Sequence, residues 1–267
     1  MSLPPTAGRP GGPLSDALRL AVGTLSALPV SPPRTVDRLR GGLAMALAPV
    51  AVLPLAVLVS AMCWIGGHVH LPLVVTSALA IGALALGSRG LHLDGLADTA
   101  DGLTASYDRE RALTVMHRGD TGPAGAAAIA VAIVLQTVSL AGVVAHEHGW
   151  LAAGVTVCCS RASLSVLCLR SVPAASSSRL GATVASTLPT WVGVATWVLV
   201  ASVLSAVAVL LGGPWWQGLA AAIAGLAVTG AVLVRCRSRL GGVTGDVFGA
   251  GIELALVALL VVLSAGS

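Results

Sequence analysis

The chain has 267 residues, of which 56% are hydrophobic and only 10% charged, against roughly 25% charge in an ordinary soluble domain. That composition excludes a water-facing globule and predicts an all-α, polytopic integral membrane protein. The formal net charge of +4 comes from arginine alone, since lysine is absent, so Schiff-base chemistry and a P-loop lysine are excluded too.

In chain order, residues 1–13 are rich in Pro and Gly and predict a disordered tail. Residues 14–267 then read as a single membrane domain. Leu14 to Val30 is weakly apolar and broken by Asp16 and Arg19, which predicts an interfacial helix. Seven membrane spans are expected after it, because about 20 apolar residues cross the hydrocarbon core. They are Leu43–Ile65, Leu71–Leu91, Gly122–Ala145, Trp150–Leu169, Leu188–Leu211, Trp215–Val234 and Asp246–Ala265. The loops alternate in charge. Fourteen of the fifteen arginines fall in segments of one parity; the exception is Arg161, inside the fourth span. The positive-inside rule makes that side cytoplasmic, with the N-terminus there. The expected location is therefore the bacterial plasma (inner) membrane. The one long loop runs from about His92 to Thr121.

Five cysteines, Cys63, Cys158, Cys159, Cys168 and Cys236, form no C-x-x-C pair and read as buried thiols. No basic helix is interleaved with aromatic residues, so nucleic acid is not an expected partner.

Acidic residues are rare and concentrated. Six of the eleven fall between Asp94 and Asp120. Asp94, Asp98 and Asp101 are spaced i, i+4, i+7, which puts them on one helical face within an arc of about 60°. Three carboxylates on one face repel unless a cation sits among them. Hard oxygen donors without His or Cys favour Mg²⁺, which is usually shared with substrate phosphates. A solvated helix end is the competing structural reading.

Two further segments bear on the site. Arg118-Gly-Asp120-Thr-Gly122 leads into the third span, where backbone N–H groups can meet an anion. Arg239-Leu-Gly-Gly-Val-Thr244-Gly245-Asp246 leads into the last span, with Glu253 two turns on. An ionisable group at that depth is a functional candidate, and Arg161 is its expected partner. Among the histidines, His92 and His117 lie on the acid-rich side, and His92 projects from a different face than Asp94.

The segment His92-Leu-Asp94-Gly-Leu-Ala-Asp98-Thr-Ala-Asp101-Gly-Leu resembles the signature of the cobalamin synthase (adenosylcobinamide-GDP ribazoletransferase) family. Leu25-Ser-Ala-Leu-Pro29-Val, Arg109 to Met116, Ser160-Arg161-Ala, Arg179-Leu-Gly181 and Gly241 to Asp246 follow in the family order. Where many members read Asp-Ser-Arg after the methionine, this chain reads His117-Arg118-Gly119-Asp120. The resemblance implies that adenosylcobinamide-GDP and α-ribazole, or its 5′-phosphate, are joined with release of GMP, aided by Mg²⁺. It implies Asp94, Asp98 and Asp101 as metal ligands and base, with Arg118 and Asp120 beside them in the catalytic set. Asp246 and Glu253 are further candidate metal ligands. Arg239, Thr244, Gly245 and Arg161 are candidate substrate-binding residues.

Two other readings compete with it. Asp98-x-x-Asp101-Gly-x-x-Ala105 opens like a CDP-alcohol phosphotransferase pattern, but Ser106 stands where arginine belongs and the downstream aspartate pair is missing. A corrinoid or cobalt transporter would carry acids deep in several spans, and an inverted repeat.

Overall fold

A computed structural model describes residues 12–105, 107–175 and 179–265, with the backbone alone for 179 and 180. Most of the expected tail, residues 1–11, lies outside them, as does position 106. The described residues form helices joined by short turns, with two isolated bridges, Leu169–Leu188 and Ala174–Val243, and no strand among them.

The N-terminal helix α1 (Pro13–Leu25) is amphipathic and buries Ala17, Ala21, Leu25 and the carboxylate of Asp16. Asp16 accepts from the backbone N–H of Arg34 and pairs with Arg40 at 3.3 Å. This docks α1 on α2 (Arg38–Ala46), whose N-cap Asp37 accepts from the N–H of Arg40.

The first expected span is broken. Residues 43–65 divide among α2, α3 (Ala48–Ala51) and α4 (Leu53–His68). Pro49 and Pro54 stand at the starts of α3 and α4, and a proline inside a helix removes one hydrogen bond and clashes with the preceding turn. The second expected span also ends early. Arg89 and Gly90 both take left-handed backbone conformations, φ 57° and 67°. Together they turn α5 (Leu73–Gly87) through 87° into α6 (Leu91–Ala105).

The expected long loop is thus corrected to two helices, α6 and α7 (Arg109–Met116). Asp108 caps α7 by accepting from Arg111 N–H, and Ala112, Leu113 and Met116 bury its apolar face.

The remaining spans follow as expected. They are α8 (Pro123–Val144), α9 (Gly149–Ser160) continued by α10 (Ser163–Leu167), then, after the short α11 (Arg179–Val184), α12 (Thr190–Leu210), α13 (Trp215–Leu240) and α14 (Gly245–Ser264). Five helices are long and apolar enough to cross a membrane, or six if bent α5–α6 counts as one span; α4, at 16 residues, is apolar but shorter. Against the seven spans expected, five or six helices meet that length and apolarity, and α4 falls short of it.

The last helix is the axis of the bundle. α14 packs against α6, α8, α9, α10 and α13, and 67% of its apolar window is buried, against 28% for α13. The outer helices α12 and α13 expose Val194, Val198, Leu199, Ile223 and Val234. An exposed apolar surface of that extent belongs against lipid.

The segments of arginine-rich parity meet at one end of the bundle. Arg38 donates to the carbonyls of Ala182 and Ala185, Arg89 to Gly23, and the Arg239 guanidinium stacks 4.1 Å over Tyr107.

Candidate active site

The acidic helix α6 is clamped between the starts of two spanning helices, and glycine makes the clamp possible. A Cβ on Gly95 would lie 2.7 Å from the Asp246 carbonyl oxygen, and one on Gly249 would lie 2.9 Å from the His92 carbonyl. On the other flank, a Cβ on Gly125 would press on Ala97 at 2.9 Å. Two acidic motifs about 150 residues apart in sequence are thereby brought together, Asp94 and Asp98 from one and Asp246 from the other.

Asp246 is held by its own turn. Gly241, in the left-handed conformation at φ 81°, ends α13 with the Arg109 guanidinium against it. The strand-like residues between are tied down by Val243 N–H to Pro173 and by Ala175 N–H to Val243. Thr244 then caps α14, accepting from Val247 N–H and donating its hydroxyl to Asp246 Oδ2 at 3.1 Å. The Thr-Gly-Asp motif is thus a helix start that aims one carboxylate at α6. Thr244 is buried and acts on Asp246, and Gly245 lines a cavity beside it.

The charges of Asp94, Asp246 and Asp101 reach Asp98, and the His117 ring lies within electrostatic range of Asp98 and Asp246. The sequence marks His117 only as lying on the acid-rich side, because one histidine in a turn carries no periodic signal; its spacing from Asp98 is set only by the fold of α6 on α7.

Asp101 has another role. It is buried, and its two oxygens accept from Gly122 N–H at 2.7 Å and Gly125 N–H at 2.9 Å. It fastens the start of α8, each oxygen accepting one helix N–H. Gly122 and Gly125 therefore serve a carboxylate of the chain rather than a bound anion.

Glu253 and Arg161 point inward as expected, 5% and 0% exposed, but they form no direct ion pair. Glu253 accepts from Gln136 Nε2 at 2.7 Å, with His92 Nδ1 3.8 Å away. Arg161 donates to the Val157 carbonyl and to Ser160 Oγ. It reaches Glu253 only through its electric field. Glu253 is thus held by Gln136, two turns along α14 from Asp246. Among the described residues no three His, Cys, Asp or Glu side chains converge to cage a metal ion.

Two cavities flank the acidic face of α6. A cleft of about 440 Å³ is lined by Arg111, Arg118, Asp120, Thr104 and Asp101. A smaller cavity of about 200 Å³ is lined by Asp94 and Asp246 and mostly by apolar side chains. Arg118 and Asp120, both exposed, share the larger one, so the interchanged order of acid and base still delivers both groups to one cleft. Arg239 is half-buried and stacked on Tyr107 behind this region.

Fold and site together define a helical membrane protein with a carboxylate cluster and a cationic cleft at one end of its bundle. A family model described as cobalamin-5-phosphate synthase matches residues 17–264. A curated relative from Nocardioides sp., named adenosylcobinamide-GDP ribazoletransferase, is 48% identical over 92% of this chain and 97% of its own length. Relatives of the same name from Frankia casuarinae and Corynebacterium efficiens are 36% and 31% identical, over 92% and 96% of this chain and 93% and 94% of their own. No solved structure matches. The chain belongs to the cobalamin-5-phosphate synthase family, and the partial likeness to CDP-alcohol phosphotransferases gives way to a match over nearly the whole length.

Proposed function

We propose that this chain is a transferase that joins adenosylcobinamide-GDP to α-ribazole, or to α-ribazole 5′-phosphate, with release of GMP. It works as a multi-pass protein of the bacterial plasma (inner) membrane, with its site on the cytoplasmic side. The observation that carries the reading is the meeting of Asp94 and Asp98 with Asp246, which come from the two most specific family motifs.

The chemistry follows from the two kinds of charge. A ribose hydroxyl of the acceptor attacks the corrinoid-side phosphorus of the pyrophosphate. A new P–O bond forms, the bond to GMP breaks, and GMP leaves with the bridging oxygen. Arg111 and Arg118, in the larger cleft, hold the nucleotide phosphates; arginine suits this because its planar fork matches phosphate oxygens. Asp98, between the two cavities, takes the hydroxyl proton, and His117 beside it stabilises the charges that result.

The donor set fits Mg²⁺: oxygen ligands only, in a repelling group that a cation relieves, and no closed cage. Mg²⁺ normally takes one or two carboxylates and completes its shell with substrate phosphates. One or two of Asp94, Asp98 and Asp246 would hold it. When bound, it neutralises charge on the pyrophosphate as the leaving group departs.

The test is an assay of purified protein in lipid nanodiscs with both substrates, following the joined corrinoid and GMP. Product is expected with Mg²⁺ and none after chelation, and Asp98→Asn is expected to lose on the order of 10²-fold or more in kcat. Wild-type protein that is monodisperse and yet inactive with both acceptor forms would overturn the reading.

A further inference from the structure

Among the described residues four charged side chains are buried: Asp16, Asp101, Arg161 and Glu253. Two are accounted for. Asp16 meets Arg40 and the Arg34 N–H, and Asp101 meets the N–H groups that open α8. Arg161 and Glu253 are the other two, and they carry opposite charge. A lone charge deep in a bundle is strongly unfavourable and persists where an opposite charge offsets it. Arg161 stands in the two-residue break between α9 and α10. Its Nη1 donates to the Val157 carbonyl and to Ser160 Oγ, while Nε and Nη2 have no hydrogen-bond partner among the described residues. Arg161 and Glu253 each lie in the other's field. Glu253 is also where three helices meet. From α14, its Oε2 accepts from Gln136 on α8 and its Oε1 faces the His92 ring of α6 at 3.8 Å. Those helices carry or frame the acidic site. His92 is two residues before Asp94, and Glu253 is two turns along α14 from Asp246. The close approach of Gly249 to the His92 backbone lies between the two levels. Neither Arg161 nor Glu253 lines the cationic cleft or the apolar cavity.

We infer that Arg161 and Glu253 are positioning residues: a buried charge pair, one layer below the site and away from substrate, that keeps the acidic helix α6 seated on α14. The inference rests on the transferase reading above. With both charges present, Glu253 stays between Gln136 and His92. With one of them neutral, the other is left uncompensated in the interior. The relief open to it is a shift of the helix that bears it, and α9 and α10 both pack on α14. A shift of α14 against α6 moves Asp246 relative to Asp94 and Asp98. Removing both charges together leaves nothing to drive the shift.

A double-mutant cycle in full-length protein in nanodiscs tests this. Arg161→Met and Glu253→Gln are each expected to lower kcat about tenfold or more, the scale of a small misplacement at a reacting centre, with the KM of both substrates unchanged. The double variant Arg161→Met/Glu253→Gln is expected to regain most of the lost kcat. Wild-type kcat per folded molecule in the single variants overturns the role, and so does a double variant no better than the worse single. A rise in either KM that the double variant keeps makes the residue a substrate contact and overturns the role as well. If a single variant does not fold, Gln136→Met decides, since it keeps both charges and removes only the hydrogen bond to Glu253. A several-fold loss of kcat at unchanged KM is expected there, and wild-type kcat overturns the role. Each of these failures, with wild-type protein turning over, leaves the transferase reading standing. Wild-type protein without turnover removes that reading and the positioning role with it.

Discussion

The three aspartates of α6 share one face in the sequence, yet they do different work. Asp101 accepts two backbone N–H bonds at the start of α8 and is buried; Asp98 is half-buried and feels the charges of three other carboxylates, Asp94, Asp246 and Asp101. Periodicity cannot separate them, because it gives only the direction of each side chain and not what stands opposite. The difference is measurable. Asp101→Asn keeps one accepting oxygen and loses the charge that meets the α8 N-terminus. It is expected to cost about 1 kcal/mol of stability, the scale of a lost cap interaction, seen as a lower midpoint of thermal unfolding in detergent. Activity is expected to fall less than in Asp98→Asn. An Asp101→Asn variant with unchanged thermal stability and no activity would mean that Asp101 acts in the chemistry and not as a fastening. Glu253 shows the same limit from the other direction. Its depth in the last span was legible, but its partner Gln136 was not, since one glutamine in an apolar run gives no spacing signal.

At the scale of the element, the sequence showed apolar length well and direction poorly. The spans from α8 onward were readable because each is a long run bounded by Trp, Gly or Pro. The breaks were not, since they rest on Pro49, Pro54 and the left-handed pair Arg89–Gly90 within otherwise apolar windows. The bend after α5 is what sends the aspartates across the end of the bundle instead of along a span. What keeps α6 there is its contact with α14, and Gly95 is the residue to test. Gly95→Ala places a methyl group against the backbone of Asp246, which cannot swing aside as a side chain does. We expect at least about tenfold loss of kcat with the protein still folded, because displacements near 1 Å are costly at reacting centres. Gly82→Ala, on the open face of α5 with nothing within 4 Å, is expected to change neither activity nor stability. Equal activity in the two variants would mean that the α6–α14 contact does not position the site.

For the molecule as a whole, the strongest signal in the sequence is the distribution of arginine, and the fold gives it a physical sense. The arginine-bearing segments interlock at the end of the bundle that carries the aspartates, through Arg38, Arg89, Arg109 and Arg239. The opposite end carries His68, His70, His146 and Gly213 and, among the described residues, no arginine. Nucleotide substrates are charged and do not cross a bilayer unaided, so the acid-rich end has to face the compartment that holds them. On the topology proposed here, which the positive-inside rule supports, that end lies in the cytoplasm. The native thiols leave little background for a direct test, four being buried and Cys158 half-buried. In intact cells, Gly213→Cys is expected to react with a membrane-impermeant maleimide, and Thr35→Cys, on the arginine-rich side, to react only after the membrane is opened. Labelling of Thr35→Cys in sealed cells would invert the topology, and the site would then have to draw its nucleotides from outside the cell.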